Sequence, residues 1–321
     1  MHTWRAFFIL KLCGYANRMA RNFNKPSLTL AQQIAHLRQQ GMTVADVPRA
    51  EHWLGNVSYY RLSAYWLPFE NPKGNPPPRF LPGTDFDKIT ALYTFDRKLR
   101  QQVARAAEHV EVALRGSWAY CLAHRGGSHG YLDASLYSDR KIFHDNLGRL
   151  AREVGTSPET YIEHYRRTYS DPAMPAVWMV AEMMTFGALS RWYSSSAEKA
   201  LRNQIAQSFG LPESLLVPFF KHIVTVRNTC AHHGRLWNRR FKVSPRLPQK
   251  PADLAATLDY TVTSSPGTLY NTLTLLAHLM RTIGPTSTWR ADMKSLLGVH
   301  PTGDLAAMGF PADWDKRPLW R

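Results

Sequence analysis

Seven consecutive residues, Arg227-Asn228-Thr229-Cys230-Ala231-His232-His233, combine side chains that could work together on a phosphate. An imidazole takes or gives a proton near neutral pH, and a guanidinium offers a planar fork of donors to a phosphoryl group whose charge builds up in a transition state. On a helix Asn228 and His232 share a face, and the long stem of Arg227 lets its head swing toward the same spot. His233, next in the chain, is the alternative to His232. The plainer reading is that Arg and His near a helix C-terminus only complement the negative end of the helix dipole. The surroundings favour chemistry. From Ser214 to Ala252 there is no Asp or Glu, whereas Lys221, Arg227, Arg235, Arg239, Arg240, Lys242, Arg246 and Lys250 supply about half of the formal net charge of +16. A polyanion is the natural partner, with Arg235, Arg239, Arg240, Lys242 and Lys221 as the phosphate-gripping candidates.

These residues need a packed helix beneath them. Leu216, Phe219, Phe220, Ile223, Val226 and Cys230 recur at three- and four-residue spacing and predict an amphipathic helix over Leu215–Leu236, entered at Pro212. A second, longer signal runs from Asp85 to about His124, where Phe86, Ile89, Leu92, Leu99, Val103, Val110, Leu114 and Trp118 keep helical spacing without a proline, the pattern of a bundle spine. Asp96 with Arg100 and Glu111 with Arg115 stand four apart on it and read as ordinary surface ion pairs. Glu111 is also the candidate for orienting the arginine or histidine of the cluster.

The remaining elements are helical as well. Ser27 reads as the N-cap of a helix ending at Gly41, followed by Ala45–Gly55 and Tyr59–Trp66. The last is the aromatic run Tyr59-Tyr60-Arg61-Leu62-Ser63-Ala64-Tyr65-Trp66, which could stack bases but suits the core of a small helical subdomain better. Asn71–Gly83, rich in proline and glycine, is a boundary loop. Gly126–Gly130 is a loop without the sequence of a phosphate-binding loop. Helices are expected over Asp139–Val154, Pro158–Tyr169, Pro175–Tyr193 with a break near Gly187, Ala197–Phe209, Leu269–Met280 and Trp289–Leu297. The tail Gly309–Arg321, with Phe310, Trp314 and Trp320, should strap across the body. Strand alternation is almost absent, so the expected fold class is all-α.

With 321 residues, 44% hydrophobic and 12% aromatic, the chain can build a large core and is not disordered overall. No run approaches the roughly 20 apolar residues of a membrane span, so no membrane partner is expected. Cys13, Cys121 and Cys230 are odd in number and lack metal-site spacing, which fits a reducing cytoplasm and no cysteine-held metal. The apolar run Ala6–Leu10 faintly imitates a signal peptide but is too short, and Met19 is an equally good start.

The chain resembles the abortive-infection Abi-like family, of the AbiD and AbiF type. The blocks that carry the resemblance are Lys25-Pro26-Ser27, Tyr59 to Trp66, Phe95-Asp96-Arg97-Lys98-Leu99-Arg100 and Glu108-x-x-Glu111-x-Ala113-Leu114-Arg115. They continue through Tyr131-Leu132-Asp133, Pro175-Ala176-Val177-Trp178, Phe186-Gly187-Ala188-Leu189-Ser190 and Arg227 to Arg239. That family is similar to the HEPN superfamily, helical domains whose Arg-x4-6-His motif serves metal-independent RNA cleavage. The resemblance implies a HEPN-like helical bundle with Arg227 and His232 as the catalytic pair, Asn228 beside them, and His233 also allowed by the looser spacing. It further implies RNA as substrate, no cofactor and no metal, a homodimer, and an antitoxin or small RNA as regulator. The domains expected are an N-terminal extension over 1–22, an N-terminal helical subdomain over 23–83, a HEPN-like core over 84–241, and a helical C-terminal extension with an aromatic tail over 242–321. The rival functions are an RNA-binding module without turnover and a DNA-binding or structural partner protein.

Overall fold

A computed structural model of the chain describes residues 25–72, 78–261 and 267–321. The expectations for residues 1–22, including Cys13 and Met19, lie outside the described residues, as does the middle of the Asn71–Gly83 loop. Among the described residues there are 13 α-helices and no strand, so the fold is all-α. The chain divides into two compact units, one ending at Asp87 and the other running from Lys88 to Arg321.

In the first unit α1 (Leu30–Gln39) packs on α2 (Val47–Val57), which packs on α3 (Tyr59–Trp66). The N-cap of α1 is Thr29 rather than Ser27. Gln32, three residues after Thr29, closes a reciprocal capping box, whereas the residue three after Ser27 is Leu30, which has no polar group to return. Helix α3 has the bounds expected from the sequence, and its core-facing side is Leu62, Tyr65 and Trp66.

The spine α4 (Phe86–Gly126) is 41 residues long. Leu92, Leu99, Val103, Val110, Leu114 and Trp118 form its buried stripe. Five helices follow: α5 (Arg140–Thr156), α6 (Thr160–Thr168), α7 (Val177–Met183), α8 (Phe186–Ser195) and α9 (Lys199–Gln207). The break expected near Gly187 falls at Met184–Thr185, because the Thr185 hydroxyl accepts the Ala188 N–H and starts a new helix there.

Helix α10 (Glu213–Ala231) carries the motif and lies against α8 and α9. It is followed by α11 (Ala252–Thr257), α12 (Leu269–Ile283) and α13 (Trp289–Gly298). Every residue of α12 from Leu269 to Met280 is buried, so a helix that reads as part of an appendage lies deep in the core. Several of its polar groups find partners. Asn271 exchanges hydrogen bonds with the backbone of Asp259, and Thr274 accepts the indole N–H of Trp320. That last contact, with Arg317 donating to Thr257 O and Leu258 O, straps the tail onto the second unit as expected.

The most deeply buried of the charged or titratable residues on α10 is His222, which is 0% exposed. Its Nδ1 lies 2.7 Å from Val243 O and must donate, so Nε2 accepts from Thr272 Oγ1 at 2.8 Å. Burial pushes its pKa down to about 4. Burial also lowers that of His300, whose Nε2 accepts the Trp237 indole N–H. A lowered folded-state pKa means that the unfolded chain binds more protons just below the ordinary histidine range. The stability these rings contribute is therefore complete above about pH 6.5 and lost as pH falls toward 4, with His222 accounting for on the order of 3 kcal/mol. Urea midpoints measured between pH 7 and pH 4 should fall accordingly, and His222→Asn, less stable at pH 7, should show a shallower fall.

Candidate functional site

The motif helix stops at Ala231, five residues short of the expected Leu236, because the chain turns there through a backbone motif. His233 N–H donates to Cys230 O at 3.0 Å and Gly234 N–H to Thr229 O at 2.8 Å, the paired bonds of a Schellman ending. The residue at its left-handed position is normally glycine, but here it is His233, at φ 55°. A β-carbon on Gly234 would sit 3.0 Å from Thr229 Cγ2 and 3.2 Å from Thr229 O, so a larger residue there would press on Thr229. His232 is the C-cap at φ −85°. The two histidines thus leave the helix end through different backbone conformations, and both are exposed.

What holds the turn after them is Asp96 of α4. Its carboxylate is fully buried and accepts the N–H groups of Trp237 at 2.7 Å and Leu236 at 3.0 Å, while Arg100 closes an ion pair on its other oxygen. The sequence pairing of Asp96 with Arg100 is correct, but its surface character is not: the pair is buried and its task is to bind backbone. Cys230 packs near it, and its thiol is pushed up to about 12 by burial, with the Asp96 charge adding. It is a core residue rather than a nucleophile.

Glu111, further along α4, is likewise almost buried and lies between two arginines. Its Oε1 is 2.5 Å from Arg115 Nη2, and its Oε2 is 3.7 Å from Arg227 Nη2, an ion pair too long for a hydrogen bond. Arg115 in turn donates to the carbonyls of Ala181 and Glu182 at the end of α7. Arg227 therefore has a fixed anionic neighbour yet keeps its side chain 40% exposed, with Nη1 also 3.4 Å from Asn228 Oδ1. A guanidinium held on one side and open on the other can still accept an anionic ligand.

Arg227, Glu111 and His233 line one cleft of about 590 Å³ between α4 and the end of α10, with Arg97, Arg100 and Gln101 of α4 also lining it. Of the residues expected at the site, Arg227, Glu111 and His233 are brought together. His232 is not among those lining the cleft, and Asn228 is exposed beside Arg227. Arg239, Arg240, Lys242 and Lys221 are exposed, and Arg235 is half-buried. Phe241 anchors the basic stretch by donating its N–H to Gly267 O, and Arg239 sits over the Phe241 ring at 5.6 Å. The sequence reading missed Asp96 as the anchor of the turn and His222 as the post beneath the basic stretch. The aspartate in Phe95-Asp96-Arg97 was visible, but nothing local said that its partner would be backbone at 236–237. Among the described residues no group of three or more His, Cys, Asp or Glu side chains converges to hold a metal ion.

The family model described as Abi-like protein matches residues 52–238, more than half of the chain. No curated protein and no solved structure matches.

The left-handed His233 yields a test that separates stability from function. A non-glycine residue there costs about 1 kcal/mol. His233→Gly should therefore raise the unfolding free energy by about that amount while removing whatever the ring does in the cleft. Thermal unfolding of the variant checks the first half, and a melting temperature below that of the wild type would contradict it.

Proposed function

The chain belongs to the Abi-like protein family, and on that premise we propose that it is an abortive-infection RNA endonuclease of the HEPN type that acts without a metal. The observation that supports this is the cleft in which an open guanidinium, Arg227, stands with His233 at the end of a helix whose C-cap is His232. A ribose 2′-hydroxyl attacks the adjacent phosphorus, the bond to the 5′-oxygen breaks, and the products carry a 2′,3′-cyclic phosphate and a 5′-hydroxyl. Arg227 stabilises the crowded phosphorane and Asn228 adds a donor beside it. The proton passes through His232, with His233 as the alternative. Glu111 keeps the guanidinium oriented, and Arg235, Arg239, Arg240, Lys242 and Lys221 carry the flanking phosphates.

The test is incubation of the purified protein with mixed RNA and single-stranded DNA in EDTA, followed by mapping of the ends. RNA should be cut and DNA spared, since DNA lacks the attacking hydroxyl. Arg227→Ala and His232→Ala should each lower the rate by roughly 10²-fold or more without unfolding the chain. Loss of activity in His233→Ala with His232→Ala intact would move the proton role to the neighbouring ring. Inhibition by EDTA, or full activity in Arg227→Ala, would end the proposal. Binding without cleavage would leave the non-catalytic RNA-binding reading.

One motif offers one arginine and few proton carriers, whereas in-line cleavage gains from a base and an acid on opposite sides of the phosphate. A two-fold dimer with both motifs on one cleft supplies them. Trp178 on α7 is 54% exposed and Val112 on α4 is 60% exposed, and these are the apolar candidates for the contact, whereas Met184 is buried and does not contribute. Sedimentation should give a mass near twice 36.6 kDa, and mixed Arg227→Ala and His232→Ala subunits should regain activity. A monomer cutting at full rate would rule the composite site out.

A further inference from the structure

The first unit contains a groove that the proposed reaction does not use. It measures about 680 Å³ and is lined by Lys25, Leu28, His36, Tyr59, Tyr60 and Arg79 among others. Tyr60 is 89% exposed, the most open large hydrophobic side chain among the described residues. It follows directly on Tyr59 at the start of α3, so its backbone is fixed by a helix while its ring stands in solvent. Tyr59 is braced from behind, packing edge-on against the buried Trp66 with centroids 5.0 Å apart and lying 6.5 Å from His36. Trp66 in turn meets Phe80 edge-on at 5.9 Å, and the Arg79 guanidinium lies over that ring at 5.8 Å. Glu70 ion-pairs with Arg79 but is not among the lining residues. The groove therefore presents rings and cations with no carboxylate among its described lining residues.

We propose that this groove is a second nucleic-acid site, which takes an unpaired nucleobase of single-stranded RNA against Tyr60 and Tyr59 and the flanking phosphate against Arg79 and Lys25. The assignment to nucleic acid follows from the composition of the groove. A base offers two flat faces to a rigid ring, its phosphate offers the charge that Lys25 and the Glu70-paired Arg79 guanidinium complement, and stacking of this kind needs no sequence. A polypeptide partner would instead be expected to meet a mixed rim and a broader apolar patch. The site rests on the RNA-handling reading for the identity of the sugar, and on the groove alone for the base and phosphate. The aromatic run thus divides. Its Leu62, Tyr65 and Trp66 side is core, and its Tyr59 and Tyr60 side is open to a ligand.

The probe is a short single strand of 2′-O-methyl RNA, which has no free 2′-hydroxyl and so reports binding whether or not the chain cleaves. Fluorescence anisotropy with the full chain should show Tyr60→Ala weakening binding by about tenfold, and Tyr60→Trp restoring it. Arg79→Gln with Lys25→Gln should flatten the dependence of affinity on salt. A duplex of the same sequence, whose bases are already stacked, should bind with no dependence on Tyr60. Because Tyr60 is exposed, its replacement should leave the core intact, which circular dichroism checks. Equal affinity of the wild type and Tyr60→Ala for the single strand overturns the proposal, and that is also the result if the groove serves a polypeptide. Tyr60-dependent binding by a chain that cuts no RNA upholds this site and fails the nuclease reading alone.

Discussion

A single buried carboxylate, Asp96, fixes the geometry on which the candidate site depends. An unpaired carboxylate in a protein interior is very costly, and Asp96 is tolerated because Arg100 and two backbone N–H groups surround it. The same bonds work in the opposite direction. Moving the Leu236–Trp237 backbone away would leave those donors and the charge unsatisfied together, so the turn that carries His232, His233 and Arg235 cannot drift from α4. Helix α4 also carries Glu111, and so the anchor of the turn and the neighbour of Arg227 belong to one rigid rod. The cleft is the space between that rod and the end of the motif helix.

The helix end stores a small strain at the place where chemistry is proposed. Gly234 eases the close approach to Thr229, yet the left-handed position before it, where glycine would be least costly, is given to His233. A ring held at φ 55° is aimed differently from one on the helix face, which explains why His233 and not His232 lines the cleft beside Arg227. In a composite site built by two copies, the two adjacent rings would face different volumes.

The basic stretch after the motif is positioned by residues distant in sequence. His222 bridges Val243 to Thr272 of α12, Phe241 binds Gly267, and Trp237 is bonded to His300. The cations therefore ride on a backbone pinned to α12 and to the segments at Gly267 and His300. Two of those pins are neutral histidines, and acid weakens the support of the basic stretch along with the fold.

Periodicity alone determined that this chain is helical, because the apolar spacing along α4 and α10 is long and unambiguous, and capping chemistry placed most helix ends within two or three residues. Residue types also singled out the candidate set, since Arg227, Asn228, His232 and His233 fall within seven residues and suit one kind of chemistry. The misplaced ends share a cause. Thr29, Thr185 and Gly234 act through bonds to residues three to five away that compete with equally plausible neighbours, and only the folded backbone shows which bond closes. Burial was the other matter left to tertiary structure. Asp96 with Arg100 and Glu111 with Arg115 have the spacing of surface pairs, and α12 has that of an appended helix. Each is buried because another part of the chain, far off in sequence, covers it. A sequence records which groups can meet along one helix, whereas burial and backbone partners across long separations exist only once the helices have packed.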